Sequence, residues 1–259
     1  MKRTDSDGVY SMFQHQVASP NFTTIPTNVG FDRPEGFGFL SLVIHYASQE
    51  DASVLACLQE LQEFIASRVP SLGYDILESP WSGGGLYLYP PQSLHCVIIY
   101  EKKIPPWSFA DVKEMDVSNH PWLRADVSQV LPFTIFPRWF FTFDDSRIDA
   151  APTVAFSLQI YMQSEVVNSL RREFIGTPKV YLTNSPGYIR GATNLARFMS
   201  DKKCRTQITN LSGIKELFRD LDKTFGVPRS FTVDCLSFVK SDCWLANPNP
   251  KVRDYQLGR

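Results

Sequence analysis

One of the four histidines in this sequence, His95, occupies a position from which an imidazole could transfer protons. It lies in the apolar run SLHCVIIY at residues 93–100, whose composition is typical of a buried strand. Alternation along a strand places Val97 on the same face as His95 and Cys96 on the opposite face. Imidazole titrates near neutrality and so serves as a general acid or a general base. We therefore consider His95 the candidate catalytic residue; the alternative is a semi-buried strand histidine that is held by a hydrogen bond.

A second group of polar residues could bind an anion. Arg190, Thr193, Asn194 and Arg197 fall within or just before a strand-like run at residues 192–198. A guanidinium offers a bidentate fork that matches a phosphate, and an amide or hydroxyl adds neutral donors. Asn194 and Arg197 are three residues apart and would face opposite sides of a regular strand, so a bulge or a strand end is needed to turn Arg197 inward. The alternative is that Arg197 faces solvent or pairs with a cross-strand neighbour.

Other residues could also take part in chemistry, and each has a structural alternative. His45 ends the first predicted strand and could partner His95, but a core or edge histidine is the alternative, and His120 is predicted to lie in a loop. The Gly83-Gly84-Gly85 run lacks the Lys-Ser/Thr that follows in a P-loop. No His/Cys/Asp/Glu group has metal-ligand spacing, so the sequence predicts neither a metal nor a cofactor.

Composition excludes several classes of protein. The chain has 259 residues, 43% of them apolar, with 26 Lys and Arg against 27 Asp and Glu. This balance excludes a disordered polyelectrolyte and a global basic footprint for nucleic acid. No apolar run approaches the roughly 20 residues that span a bilayer, so no membrane association is expected. Five cysteines without CxxC spacing, and a polar N-terminus unlike a signal peptide, predict reduced thiols and a cytoplasmic location.

Hydrophobic periodicity predicts an α+β domain. Residues 1–37 are polar, interrupted by Pro and Gly, and predicted to be an N-terminal arm, whereas residues 38–259 form a single domain. Residues 41–65 and 157–175 share one plan, a strand, a tyrosine, a polar turn and an amphipathic helix, which suggests two similar lobes. Strands are predicted at 39–47, 93–100, 133–136, 139–143, 153–161, 179–183, 192–198 and 229–239, and helices at 55–68, 111–117, 164–174 and 212–225.

Three segments carry a resemblance to a known family: LHCVI at 94–98, NLARF at 194–198 and VDCLSFVKS at 233–241. Their order and spacing resemble the 2H phosphoesterase superfamily, which includes 2',3'-cyclic phosphodiesterases and RNA end-processing enzymes. The resemblance implies a two-lobed fold, with two antiparallel sheets and flanking helices around a central cleft. It also implies that each lobe contributes a His-x-Thr/Ser motif, whose two imidazoles act as general base and general acid on one phosphate.

This sequence departs from the family motif at three of its four positions. The first motif keeps His95 but has Val97 in the hydroxyl position. In the second motif Ala192 occupies the histidine position and Asn194 the hydroxyl position. Sliding the alignment by one residue keeps Thr193 but puts a glycine where the histidine belongs.

Three hypotheses follow. The first is a phosphodiesterase-type enzyme that uses His95 with a non-standard partner. The second is a catalytically inactive relative that still binds a nucleotide or an RNA terminus through His95, Thr193, Asn194, Arg197 and Arg190. The third is a protein-interaction module that binds no such ligand. The sequence leaves the substrate and the oligomeric state open.

Overall fold

The computed structural model describes residues 38–79, 85–101, 109–144, 153–174, 181–182, 187–199, 210–226, 229–242 and 251–258. The predicted N-terminal arm, the Gly83-Gly84 pair and the side chain of Arg190 lie outside the described residues. What is described is a mixed fold of α-helices and two largely antiparallel sheets, which confirms the α+β prediction. No helix in these segments is long and apolar enough to cross a membrane.

Eleven strands and four α-helices are described in these segments. The strands are β1 (Gly38–His45), β2 (Ile76–Leu77), β3 (Gly85–Leu88), β4 (His95–Glu101), β5 (Phe133–Asp144), β6 (Thr153–Gln163), β7 (Tyr181–Leu182), β8 (Tyr188–Met199), β9 (Phe231–Val233), β10 (Cys235–Asp242) and β11 (Lys251–Gln256). The helices are α1 (Ser53–Arg68), α2 (Phe109–Glu114), α3 (Ser164–Glu173) and α4 (Leu211–Phe225).

The first sheet has the strand order β11-β10-β1-β4, and all its pairs are antiparallel. One face of this sheet belongs to the main hydrophobic core. The other face is more polar, because alternation along β1 places Ser41, Val43 and His45 there, and Ser237 of β10 pairs with Val43. The apolar face carries Leu40, Leu42, Ile44, Leu236 and Phe238, all of them buried.

The second sheet has the order β2-β3-β8-β6-β5-β9, with β7 paired to β8. It also has one apolar face, which carries Phe156, Leu158, Ile160 and Phe198. Helix α1 packs against this sheet and against α4, where Phe64 and Phe225 make an edge-to-face contact with 5.3 Å between ring centroids.

The two sheets meet where β4 lies beside β8. The hydroxyl of Thr193 donates a hydrogen bond to the backbone carbonyl of His95 (3.2 Å) and lies 2.6 Å from the phenolic oxygen of Tyr46. Gly191 is needed at the same contact, since a Cβ there would lie 2.5 Å from the Cys96 sulfur. The apolar faces of both sheets therefore merge into one core at the junction between β4 and β8.

Most predicted elements are found, with shifts at their ends. The predicted strands at 133–136 and 139–143 form one strand, β5, which continues through Pro137. The predicted strand at 229–239 is two strands, β9 and β10, separated at Asp234. The short strand β3 and the edge strand β11 were not predicted.

Candidate functional site

His95 begins β4 and pairs directly with His45, the last residue of β1. Residues directly opposite in an antiparallel pair have Cβ atoms about 5 Å apart, so the two imidazoles are neighbours on one face of the first sheet. Both side chains are buried, with 8% and 7% of their surface exposed. The sequence placed His45 at the end of this strand as a possible partner of His95, and the register brings the two histidines together.

The imidazole of His95 is held by its own chain. Its Nδ1 lies 2.9 Å from the backbone carbonyl of Ser93, which can only accept, so Nδ1 carries the proton in the neutral ring and Nε2 is the basic nitrogen. Burial lowers the pKa of His95 to about 4, the Ser93 carbonyl partly offsets this effect, and His45 lowers the pKa a little further. The ring is therefore neutral at physiological pH, in the form that can accept a proton.

Arg197 lies on the same face of the second sheet as Asn194, although the two are three residues apart. Ser157 of β6 pairs with Asn194, but Phe156 pairs with Ala196, so Leu195 is an extra residue in β8. This β-bulge reverses the alternation beyond it. A bulge or a strand end was expected if Arg197 was to join this group, and the structure contains the bulge.

The bulge is fixed by a side chain of α1. The buried amide of Gln62 donates to the backbone carbonyls of Leu195 and Tyr89, each at 2.7 Å. The Leu195 carbonyl also accepts a hydrogen bond from the backbone N–H of Tyr89, at 3.1 Å. The side-chain direction of Arg197 thus depends on a glutamine that is remote in sequence.

The polar face of the second sheet contains two residues that sequence analysis missed. Arg138 of β5 pairs with Gln159 of β6, which pairs with Ala192 of β8, so the three lie in one cross-strand row. Both Arg138 and Gln159 are buried. In the next row the Ser157 hydroxyl donates to the Asn194 side-chain oxygen at 2.6 Å, which directs the amide N–H groups of Asn194 away from Ser157.

Of the other two predicted ligand residues, Thr193 is placed on the opposite face. Thr193 lies on the apolar face of β8, and its hydroxyl is engaged with Tyr46 and the His95 carbonyl. Arg190 pairs through its backbone with Tyr161. Ala192, which one alignment to the family motif was expected to place at the second histidine position, is exposed.

His95 and Asn194 lie on the side of their strands away from the junction between the sheets. Cys96 and Gly191 face each other at that junction. Side chains alternate along a strand, so His95, one residue from Cys96, and Asn194, three residues from Gly191, lie on the opposite face. One polar face thus carries His45 and His95, and the other carries Arg138, Asn194 and Arg197. His120, by contrast, packs edge-to-face on Trp122 and pairs with Glu101 at 2.9 Å, as a structural residue would.

In the described part of the chain no group of three or more His, Cys, Asp or Glu side chains could hold a metal ion. No family model matches the sequence, and comparison with curated proteins likewise finds no match.

Proposed function

We propose that the protein is a 2H phosphoesterase-like protein that binds a phosphate ester, such as a nucleotide or an RNA end, between the polar faces of its two sheets. Asn194 and Arg197 bind the phosphate, Arg138 adds positive charge, and His95 contacts the ester group. The position of Arg197 carries this proposal. The bulge at Leu195 places the Arg197 side chain on the same face as Asn194, whereas a regular strand would place it on the opposite face.

The chemistry of the two polar faces suits such a ligand. Guanidinium groups bind phosphate through two parallel N–H···O bonds, and these charge-assisted bonds are stronger than neutral ones. Arg197 and Arg138 are buried, with 8% and 7% of their surface exposed, so they attract a bound phosphate in surroundings of low dielectric constant. The neutral His95 ring then accepts a proton from a ribose hydroxyl, or takes up a proton when the phosphate binds.

The proposal is tested by calorimetric titration of a nucleoside 3'-monophosphate and a nucleoside 2',3'-cyclic phosphate into the full chain. Arg197→Met should weaken binding about 10- to 100-fold, since a hydrogen bond to a charged group contributes roughly 1.5–3 kcal/mol. Arg172→Met removes an exposed arginine of α3 and is the matched control. Binding by the wild type should weaken as salt is raised.

Absence of binding by the wild type, or equal weakening by both arginine substitutions, would contradict a phosphate site at Arg197. A loss in Arg197→Met alone, with an unchanged unfolding transition, would support it.

Hydrolysis of the bound ester is a second candidate function, which is favoured by the tautomer of His95. A general base needs a basic nitrogen at neutral pH, and the Ser93 carbonyl assigns that role to Nε2. If the protein cleaves 2',3'-cyclic phosphates, His95→Gln should lower turnover at least about 100-fold without weakening the binding of a 3'-monophosphate to the same degree. Wild-type protein that binds but does not turn over would be the inactive relative.

A further inference from the structure

A second cluster of polar side chains surrounds Ser48, at the end of the first sheet. It consists of Ser48, His45, Lys251, Asp254 and Ser237, and we call it the Ser48 cluster. Ser48 lies in the short 3-10 turn that follows β1 and is half-buried rather than enclosed in the core. The proposed phosphate site uses neither this hydroxyl nor Lys251.

We propose that Ser48 is an activated serine nucleophile that attacks carboxylic esters, with His45 as its general base and Lys251 as the cation that stabilises the negative charge. This proposal is independent of the proposed phosphate site.

The serine and the histidine have the geometry of a nucleophile and its base. Nδ1 of His45 lies 3.1 Å from Oγ of Ser48. The backbone carbonyl of Gln92 raises the pKa of the same ring, so it favours the imidazolium that forms when Nδ1 accepts the serine proton. A nucleophile within hydrogen-bond reach of a base is the arrangement that activates serine nucleophiles in general.

Burial, together with the charge of Lys251, favours the neutral form of the His45 ring at neutral pH. Burial lowers the pKa of His45, and Lys251 lowers it further, whereas the Gln92 carbonyl and Asp254 raise it. The neighbouring His95 is neutral as well and adds no positive charge.

Lys251 supplies positive charge at the serine oxygen. Its Nζ lies 3.5 Å from Oγ of Ser48 and 2.6 Å from one carboxylate oxygen of Asp254. The other carboxylate oxygen of Asp254 accepts a hydrogen bond from the fully buried Ser237 hydroxyl, at 2.7 Å. The ammonium is thus held beside the attacking oxygen, where it stabilises the negative charge that develops on the ester carbonyl oxygen during the attack.

The turn that carries Ser48 is rigidly held. The buried side chain of Gln49 donates to the backbone carbonyls of His45 (2.8 Å) and Cys235 (2.9 Å), and it accepts from the backbone N–H of Asp234 (3.2 Å). The carboxylate of Asp234 in turn accepts from the backbone N–H of Glu50. A nucleophile on a fixed turn keeps its distance to the base without further ordering.

The reaction proceeds in two steps. Oγ of Ser48 attacks the ester carbonyl carbon while its proton moves to Nδ1 of His45, and the oxyanion lies beside Lys251. The bond between the carbonyl carbon and the alkoxy oxygen then breaks, the departing alcohol takes the proton from His45, and an acyl-serine remains. Water, deprotonated by His45, hydrolyses the acyl-serine, releases the acid and restores the serine.

The experiment treats the full chain with an alkyl fluorophosphonate and maps the adduct by peptide mass spectrometry. This probe forms an Oγ–P bond and loses fluoride, so it reports an activated serine without a known substrate. We expect an adduct at Ser48. We expect none at Ser67 or Ser71, exposed serines whose hydroxyls donate to backbone carbonyls and which serve as internal controls.

Two variants test the mechanism. His45→Gln should slow labelling of Ser48 at least about 100-fold, which is the contribution typical of a general base. Lys251→Met should slow labelling only about tenfold, because this lysine is partly exposed and its charge is partly screened. With p-nitrophenyl butyrate the wild type should release an initial burst of nitrophenolate that Ser48→Ala abolishes. Lys251→Met changes an exposed edge-strand residue, so it provides the test should His45→Gln fail to fold.

Labelling confined to Ser48 and slowed in the variants supports the proposal. It is overturned if folded wild type carries no adduct at Ser48, or if Ser48 reacts equally fast in the wild type and in Lys251→Met. A burst that persists in Ser48→Ala also overturns it.

Discussion

The buried histidine of β4 should make the stability of the protein depend on pH. The pKa of His95 is about 4 in the folded chain, against an ordinary value of 6.5, and burial is the main cause. Because the folded state binds the proton more weakly than the unfolded state, protonation favours unfolding. The contribution is fully present above about pH 6.5 and is lost as the pH falls from there towards 4.

The size of the effect follows from the difference between the two pKa values. At about 1.4 kcal/mol for each pKa unit, the full loss is about 3 kcal/mol, of which about 2 kcal/mol is lost between pH 7 and about pH 5. Urea unfolding of wild type and of His95→Gln at about pH 7, 6 and 5 measures it. The glutamine variant cannot take up a proton, so the difference in unfolding free energy between the two proteins should shrink by about 2 kcal/mol over this range.

His45→Gln serves as the comparison, since burial and Lys251 lower the pKa of His45, whereas the Gln92 carbonyl and the Asp254 carboxylate raise it. It should remove a smaller part of the pH dependence. The contrary result is a difference in unfolding free energy between wild type and His95→Gln that stays constant within about 0.5 kcal/mol from about pH 7 to about pH 5. That result would refute the assignment of a desolvated imidazole at His95.

Two further predictions concern the contacts that shape the polar faces. Gln62→Met should destabilise the protein by about 2–3 kcal/mol, because it removes two buried hydrogen bonds and leaves the Tyr89 carbonyl without its side-chain donor. Urea unfolding measures the loss of unfolding free energy. A loss below about 0.5 kcal/mol would show that the Leu195 bulge does not depend on the glutamine. Gly191→Ala should lower the free energy of unfolding by about 1–3 kcal/mol, because the added Cβ clashes with the Cys96 sulfur. In a double-mutant cycle, Cys96→Ala should recover part of this loss. Strictly additive effects of the two substitutions would contradict the contact.

Periodicity predicted the elements that carry the histidines, but tertiary contacts determine the rest of the site. The bulge at Leu195 depends on Gln62, a contact between distant positions that no local pattern contains. Arg138 was missed because Pro137 beside it resembles a strand breaker, yet β5 continues through that proline. Strand β11 was missed because its charged residues break the apolar alternation on which strand prediction depends.

The strand order of the first sheet has a consequence for folding. The central strand β1 pairs on one side with β4 and on the other with β10, and Gly38 contacts Asp242 across most of the chain length. Such long-range pairing loses the conformational entropy of a large loop before the strand contacts contribute stabilising free energy, and this slows folding. A chain emerging from the ribosome can form the histidine pair on β1 and β4 early. Lys251, Asp254 and Ser237 are synthesised only with β10 and β11, so the Ser48 cluster assembles after the histidine pair.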